Sequence, residues 1–305
     1  YKLRLTLIVV VEVVEEMKMY HIMVYNHGLR IYSYPYAVHI FTSKKLSPKD
    51  AFKLADEILS KHYPKWRDRA NLAYVGYEEL PLSFSFDTNP YVAVEMSIDD
   101  NITYVDIVST VPAELAKAIE NYRRKWLTLD YDCKSMICKA KLINALNQIK
   151  NFRVYETYRG YHVRALLPRT LSLEEIIEMR KRLGDDEMRI IIDKIYIDKN
   201  MAFLTNLLFN EKCWVDGNEM RCSAETETSL DNIITEYMKE RLIEAYGKIS
   251  LSLSEIVKKS DVKVVNNTIV IKTDEAGRLI GKQGINVRTV EKELGVKVRI
   301  VSQTR

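Results

Sequence analysis

Ile280-Gly281-Lys282-Gln283-Gly284-Ile285-Asn286-Val287 sets two glycines three positions apart between two segments of helical apolar period. Glycines at that spacing let the backbone turn sharply and approach an anion with no side chain in the way. The segment after the loop then points the N–H groups of its first turn at the same anion. Lys282 and Gln283 form the loop tip, and Arg278 and Arg288 flank it. Working outward, residues 262–265 and 268–273 read as strands about an Asn266-Asn267 turn. Residues 275–280 read as a short helix, 285–294 as a longer one and 296–301 as a closing strand. Leu279, Ile280, Val287, Val290, Leu294, Val298 and Ile300 supply the apolar frame.

Charge singles out the same segment. The chain has 305 residues, 46 Lys or Arg and 42 Asp or Glu, a net of +4. Residues 261–305 carry nine basic and five acidic groups, so the whole excess lies there and the remainder is neutral. A surface that tracks phosphates needs such a local excess.

The rest of the composition sets bounds. Hydrophobic residues make up 47%, enough for packed cores and against wholesale disorder. Ten Gly and seven Pro leave no low-complexity linker. The length allows two or three domains. The longest apolar run, 7–14, is broken by Glu12 and is too short to span a bilayer. It lacks a small-residue cleavage site, so a cytoplasmic protein with no membrane association is expected. Abundant Ile, Lys and Glu with 19 Tyr fit a thermophile.

Along the chain, residues 3–14, 20–25 and 28–42 read as strands. Ser47-Pro48 opens a helix with Asp50 as its capping acid and Ala51, Leu54, Ala55, Ile58 and Leu59 as its apolar face. Residues 83–110 return to strands about an Asp99–Asn101 turn, and 113–124 are helical. Residues 127–132 read as a strand, and 137–149 as a helix with Ile137, Ala140, Ile143 and Leu146 inward. One or two strands follow around Gly160, then a helix boxed by Ser172 and Glu175 and ended by Gly184. Residues 190–197 read as a strand, and 213–222 as a hairpin about Asp216-Gly217. A long helix over 230–246, stopped by Gly247, leads to a short one over 252–259.

Residues 252–305 resemble the KH family of single-stranded nucleic-acid binders, on the GxxG loop, the apolar frame and the strand order. Two strands before the loop and one after look like the type II, mainly prokaryotic, arrangement. The resemblance implies a loop that clamps about four nucleotides of single-stranded RNA or DNA through Gly281, Lys282, Gln283 and Gly284, with Arg278 and Arg288 beside them.

A second constellation lies in the middle of the chain. Leu129-Asp130-Tyr131-Asp132 ends an apolar strand with two acids on one face. Adjacent carboxylates repel unless a cation or proton sits between them, and hard divalent cations take oxygen ligands. Arg159-Gly160-Tyr161-His162-Val163-Arg164 and Ile191-Ile192-Asp193 follow. This series of acid-x-acid, Gly-x-His and apolar-Asp resembles the archaeo-eukaryotic primase and primase-polymerase superfamily over residues 126–215.

That resemblance implies an RRM-like sheet packed against an N-terminal α/β module. Asp130, Asp132 and Asp193 would hold Mg²⁺ or Mn²⁺, and His162 would contact the incoming nucleoside triphosphate. The cations would activate a 3′-hydroxyl and neutralise the departing pyrophosphate. Arg159, Arg164 and Arg189 are further candidate nucleotide contacts, on the ability of guanidinium to pair with phosphate. The sequence departs from the family by carrying Gly160 where Ser often stands, two places before the His. Gly184-Asp185-Asp186 reads as a helix end. No GxxxxGK[ST] motif and no zinc ribbon are present.

The cysteines, Cys133-x4-Cys138 and Cys213-x8-Cys222, are spaced either for a four-cysteine zinc site or for buried side chains plus a cross-hairpin pair. The second is expected, with zinc not required. His21, His27, His39 and His62 have no ligand spacing and read as ordinary core or surface residues. Lys65, Trp66, Arg67 and Arg69 form a basic-aromatic cluster that reads as a solvated helix end, with contact to a nucleic-acid strand as the alternative. Arg123, Arg124 and Lys125 read as a charged helix C-terminus.

The expectation is therefore an α+β protein from an archaeal thermophile. Residues 1–125 would be an N-terminal α/β module, 126–225 an RRM-like catalytic module, 226–250 a linking helix and 251–305 a KH-type domain. The expected function is metal-dependent nucleotidyl transfer on a strand held by the KH-type domain. The alternative is a non-catalytic RNA-associated or ribosome-associated protein with a degenerate body.

Overall fold

The computed structural model describes residues 18–25, 36–62, 74–82, 90–97, 104–216 and 219–303. The strand expected over 3–14, the turn at 99–101, the Lys65–Arg69 cluster and His27 lie outside these residues. The protein is a mixed α+β chain in two compact units, Tyr1–Glu120 with Phe209–Ser223, and Asn121–Leu208 with Ala224–Arg305. Among the described residues, no helix is long and apolar enough to cross a membrane.

The first unit is built on a seven-stranded sheet. Its strands are β1 (Met19–Tyr25), β2 (Tyr36–Thr42), β3 (Tyr74–Leu80), β4 (Tyr91–Ser97), β5 (Tyr104–Ser109), β9 (Glu211–Asp216) and β10 (Glu219–Ala224), in the order β10-β9-β3-β1-β2-β4-β5. Helix α1 (Pro48–His62) starts as its sequence dictates. The Ser47 hydroxyl accepts from the Asp50 N–H at 3.1 Å and donates to the Asp50 carboxylate at 2.6 Å. Ala51, Ala55 and Leu59 then pack on Ile22, Val24, Val38, Ile40, Val75, Tyr77 and Cys213. On the alternate positions His21 and His39 are buried, joined by a 2.9 Å hydrogen bond, with Glu78 3.3 Å from His21.

Strand β3 has no clear signature in the sequence, since Gly76 and two glutamates break its pattern. A Cβ at Gly76 would lie 2.6 Å from the Phe209 ring, so the glycine serves close packing. The stretch 209–223, expected to close the middle module, instead completes this first sheet.

The second unit holds two modules. The first has β6 (Trp126–Tyr131), α3 (Met136–Leu146), β7 (Phe152–Glu156), β8 (Tyr161–Leu166), α4 (Leu173–Leu183), α5 (Glu187–Asp198) and β11 (Thr226–Thr228), preceded by α2 (Ala113–Arg123), which straddles the unit boundary. The sheet order is β11-β7-β8-β6. An RRM-like sheet returns its last strand beside the first; here β11 pairs with β7 and β6 is an edge. One face is apolar: Leu127, Leu129, Tyr131, Val154, Tyr161 and Val163 pack against Leu142, Ala145 and Leu146 of α3 and Leu183 of α4.

Three expectations in this module are corrected. The strand over 190–197 is the helix α5: Asp186 caps it by accepting from the Arg189 N–H, and Ile190, Asp193 and Tyr196 are buried at helical spacing. Ile137 is 69% exposed, whereas Lys139 is buried on α3 with its ammonium 2.9 Å from Glu236 and 2.7 Å from Glu240. Arg123 and Arg124 are not a solvated end. Arg123 is 2% exposed and donates to the carbonyls of Phe203 and Thr205, and Arg124 donates to that of Leu171.

The second module comprises α6 (Leu230–Ile249), α7 (Leu251–Lys259), β12 (Asp261–Val265), β13 (Thr268–Thr273), α8 (Ala276–Ile280), α9 (Ile285–Leu294) and β14 (Lys297–Ser302). Helix α6 runs through Gly247 to Ile249. That glycine has no positive φ, and a glycine inside a helix costs only about 1 kcal/mol relative to alanine. Strands β12 and β13 pair antiparallel about Asn266 (φ 48°) and Asn267 (φ 60°), and β14 pairs parallel with β13. Leu279, Val290, Leu294 and Val298 enter a core with Ile269, Ile271, Leu253 and Val257, while Ile280 stays 37% exposed beside the loop. Helix α6 is more than a linker: Ile233 joins the first module's core, and Met238, Leu242, Ala245 and Tyr246 join the second's.

Candidate nucleic-acid interface

The 281–284 loop is held open by backbone conformation. Gly281 (φ 75°), Gln283 (φ 54°) and Gly284 (φ 75°) all occupy the left-handed half of conformational space. A Cβ at Gly281 would sit 2.6 Å from the Asn286 amide, whose Nδ2 donates to the Arg278 carbonyl and ties α9 back to α8. The Gly284 N–H donates to the Gly281 carbonyl at 3.0 Å, closing the turn. Lys282 and Gln283 are at its tip, and both are exposed. No side chain caps the N-terminus of α9, and the free amides of a helix's first turn favour an anion. Arg288 lies with its guanidinium 3.5 Å from the place a Gly284 Cβ would take. Arg278 is paired with Glu275. Ile280 and Ile285, 37% and 58% exposed, flank the glycines. A phosphate-approaching backbone, cationic side chains and exposed apolar groups for base contact thus meet on one edge.

The middle constellation is assembled on the polar face of β6 and β8. Asp130 and His162 are direct cross-strand partners, with Asp130 Oδ1 3.6 Å from His162 Nε2. That oxygen is buried and has no hydrogen-bond partner. The other His162 nitrogen, Nδ1, is 2.9 Å from Glu225, and Arg164 pairs with the same carboxylate at 2.5 Å. Burial alone would raise the Glu225 pKa; the His162 hydrogen bond and the Arg164 charge outweigh it and hold the carboxyl below its ordinary value. Gly160 makes the arrangement possible. A Cβ there would fall 1.7 Å from the Tyr131 carbonyl oxygen, so the turn before β8 can lie against the end of β6 only with glycine.

Asp193 and Arg189 belong to a different network. Arg180, 0% exposed, donates Nε to Asp185 at 2.7 Å and Nη1 to Asp193. The second Asp185 oxygen accepts from the Asp130 N–H at 2.6 Å and from Arg189 at 2.7 Å. Arg189 also donates to Thr128 and to the Leu207 carbonyl, and Asp193 accepts from the Asn206 N–H. Burial alone would lower the Arg180 pKa; the Asp193 and Asp185 charges reverse this.

The structure therefore brings Asp130 and His162 together but sets Asp193 on a helix, with its carboxylate engaged by Arg180 and Asn206. Asp132 is half-exposed and 3.5 Å from Arg159. Among the described residues, the three acids do not converge within 4.8 Å as a ligand group. They do not fit the expected Mg²⁺ or Mn²⁺ set. Sequence reasoning misses Glu225 and Asp185. Asp185 is hidden in a segment that is indeed a helix end, with Gly184 closing α4 in the left-handed conformation and Asp186 capping α5. Glu225 carries no local signal. The cysteines are bonded in pairs, Cys133 with Cys138 and Cys213 with Cys222.

Comparison with curated proteins and with solved structures finds no match. The family model described as KH domain matches residues 266–305. A KH domain, which supports binding of single-stranded RNA or DNA, thus forms the C-terminus of this chain.

Proposed function

We infer that the chain is a single-stranded nucleic-acid-binding protein whose grip is the 281–284 loop, with the remaining modules as scaffold. The observation that carries this reading is the loop's open backbone at the uncapped N-terminus of α9, with Lys282 at the tip, inside the segment that matches the KH domain. The test is fluorescence anisotropy with labelled single-stranded RNA and DNA across a salt series. Gly284→Asp is the sharper variant, because a Cβ there meets nothing closer than 3.5 Å. At φ 75° it costs about 1–2 kcal/mol of backbone strain, so native circular dichroism is checked first, and an anion then faces the phosphate. Affinity should fall at least about tenfold, and the salt slope should drop by about 0.7 for each phosphate no longer neutralised. Unchanged affinity and slope for both Gly284→Asp and Lys282→Ala refute the loop as the binding surface.

Metal-dependent nucleotidyl transfer is the second reading. The Asp130–His162 contact favours it, and the engagement of Asp193 by Arg180 opposes it. Primer synthesis and extension with NTPs and dNTPs, in Mg²⁺ or Mn²⁺, decide the matter. A product that Asp130→Ala/Asp132→Ala abolishes would establish the reading; no product from the wild type retires it.

A further inference from the structure

The β9–β10 hairpin gathers ligand chemistry that nucleic-acid binding does not use. Glu211 and Cys213 stand two positions apart on β9 and so project to one face. Cys222 on β10 comes opposite, its Cα 4.0 Å from that of Cys213. A Glu211 carboxylate oxygen and the two sulfurs lie within 4.8 Å of one another, with Oε1 3.6 Å from the Cys213 sulfur. The other oxygen, Oε2, is held 2.5 Å from the Lys45 ammonium, which fixes the carboxylate with Oε1 toward the sulfurs. Cys213 is fully buried, whereas Cys222 is exposed. A reductant can thus reach the pair from one side only.

We propose that the reduced hairpin is a binding site for a thiophilic divalent cation of the zinc type, held by Cys213, Cys222 and Glu211, and that disulfide and metal are alternative states of the same two sulfurs. Two thiolates and a carboxylate suit Zn²⁺ and leave its fourth position to water. The exchange balances with a phosphine as reductant. The S–S bond breaks and each sulfur gains one electron. Phosphorus is oxidised to the phosphine oxide, and a water supplies its oxygen and the two thiol protons. Metal binding then releases both thiol protons to the buffer. The edge of the first sheet is closed covalently in one state and by coordination in the other.

The test uses the full chain with Cys133→Ser/Cys138→Ser, so that only the hairpin sulfurs remain, and Co²⁺ as the optical probe. After phosphine reduction, one equivalent should bind with a thiolate-to-cobalt charge-transfer band that Zn²⁺ displaces. The oxidised protein should show no band. Cys222→Ser should abolish it. Glu211→Gln, which keeps both sulfurs, should retain the band while weakening affinity about tenfold or more, at least what loss of an outer-shell partner costs. A reduced protein with native circular dichroism and no band overturns the proposal. So does a band that persists in Cys222→Ser, or an affinity that Glu211→Gln leaves unchanged.

Discussion

Replacing Arg180 with methionine tests whether Asp193 is a structural ion-pair partner. The guanidinium is 0% exposed and bridges two carboxylates, Asp185 through Nε and Asp193 through Nη1. Without it, Asp185 keeps Arg189 and the Asp130 N–H, but Asp193 keeps only the Asn206 N–H. The loss therefore falls mainly on Asp193, left buried and charged. Breaking a buried pair in this way costs about 3–5 kcal/mol. Adding Asp193→Asn removes the stranded charge, so the double variant should recover about 2 kcal/mol relative to the sum of the singles. Urea unfolding followed by far-UV circular dichroism measures all three against wild type. A loss below about 1 kcal/mol for Arg180→Met, or strict additivity, would show that Asp193 is not held as described.

Three further outcomes follow from the same geometry. Gly160→Ala should destabilise by about 3 kcal/mol or more, because its Cβ meets backbone that cannot swing aside; a loss under about 1 kcal/mol in urea contradicts that. Gly184→Ala, where φ is +78° and the space is open, should lose only about 1 kcal/mol in the same assay. Glu225 has a depressed folded pKa, so its contribution is complete above the ordinary carboxylate range and fades as pH falls through the lower folded value. The Tm gap between wild type and Glu225→Gln should accordingly narrow on acidification from neutral pH. A gap that widens refutes the sign.

How legible the fold is depends on the range of the interactions that fix it. The loop segment is readable nearly residue by residue, because its determinants are local: glycines at positive φ, an Asn-Asn turn and a 3.6-residue apolar period. The Ser172–Glu175 box and Gly184 are equally plain. Helix α5 reads as a strand because Ile190-Ile191-Ile192 is β-branched and short; the deciding signs are the Asp186 cap and the spacing of Ile190, Asp193 and Tyr196. The same misreading turns Asp193 from a helix residue facing Arg180 into a strand-end ligand. Glu225 reaches His162 across 63 positions, and Gly76 is explained only by Phe209, so no local pattern announces either. The Asp130–His162 pairing is recoverable because two strands with alternating faces force it once they are neighbours.

Helix α6 gives the chain a rotational vernier. Ile233 and the two glutamates that meet Lys139 lie along one side of it, and Met238, Leu242 and Ala245 along the opposite side, since each residue turns the helix by about 100°. Inserting one residue between Glu240 and Leu242 would swing the loop by that angle about the helix axis, leaving Ile233 and the two glutamates in place and turning Met238, on the near side of the insertion, away from the second core. The bearing on which a bound strand leaves the protein is thus written in the residue count of a single helix. Insertions of three or four restore it most closely, at the expense of displacing the two modules along the axis by about 5 Å.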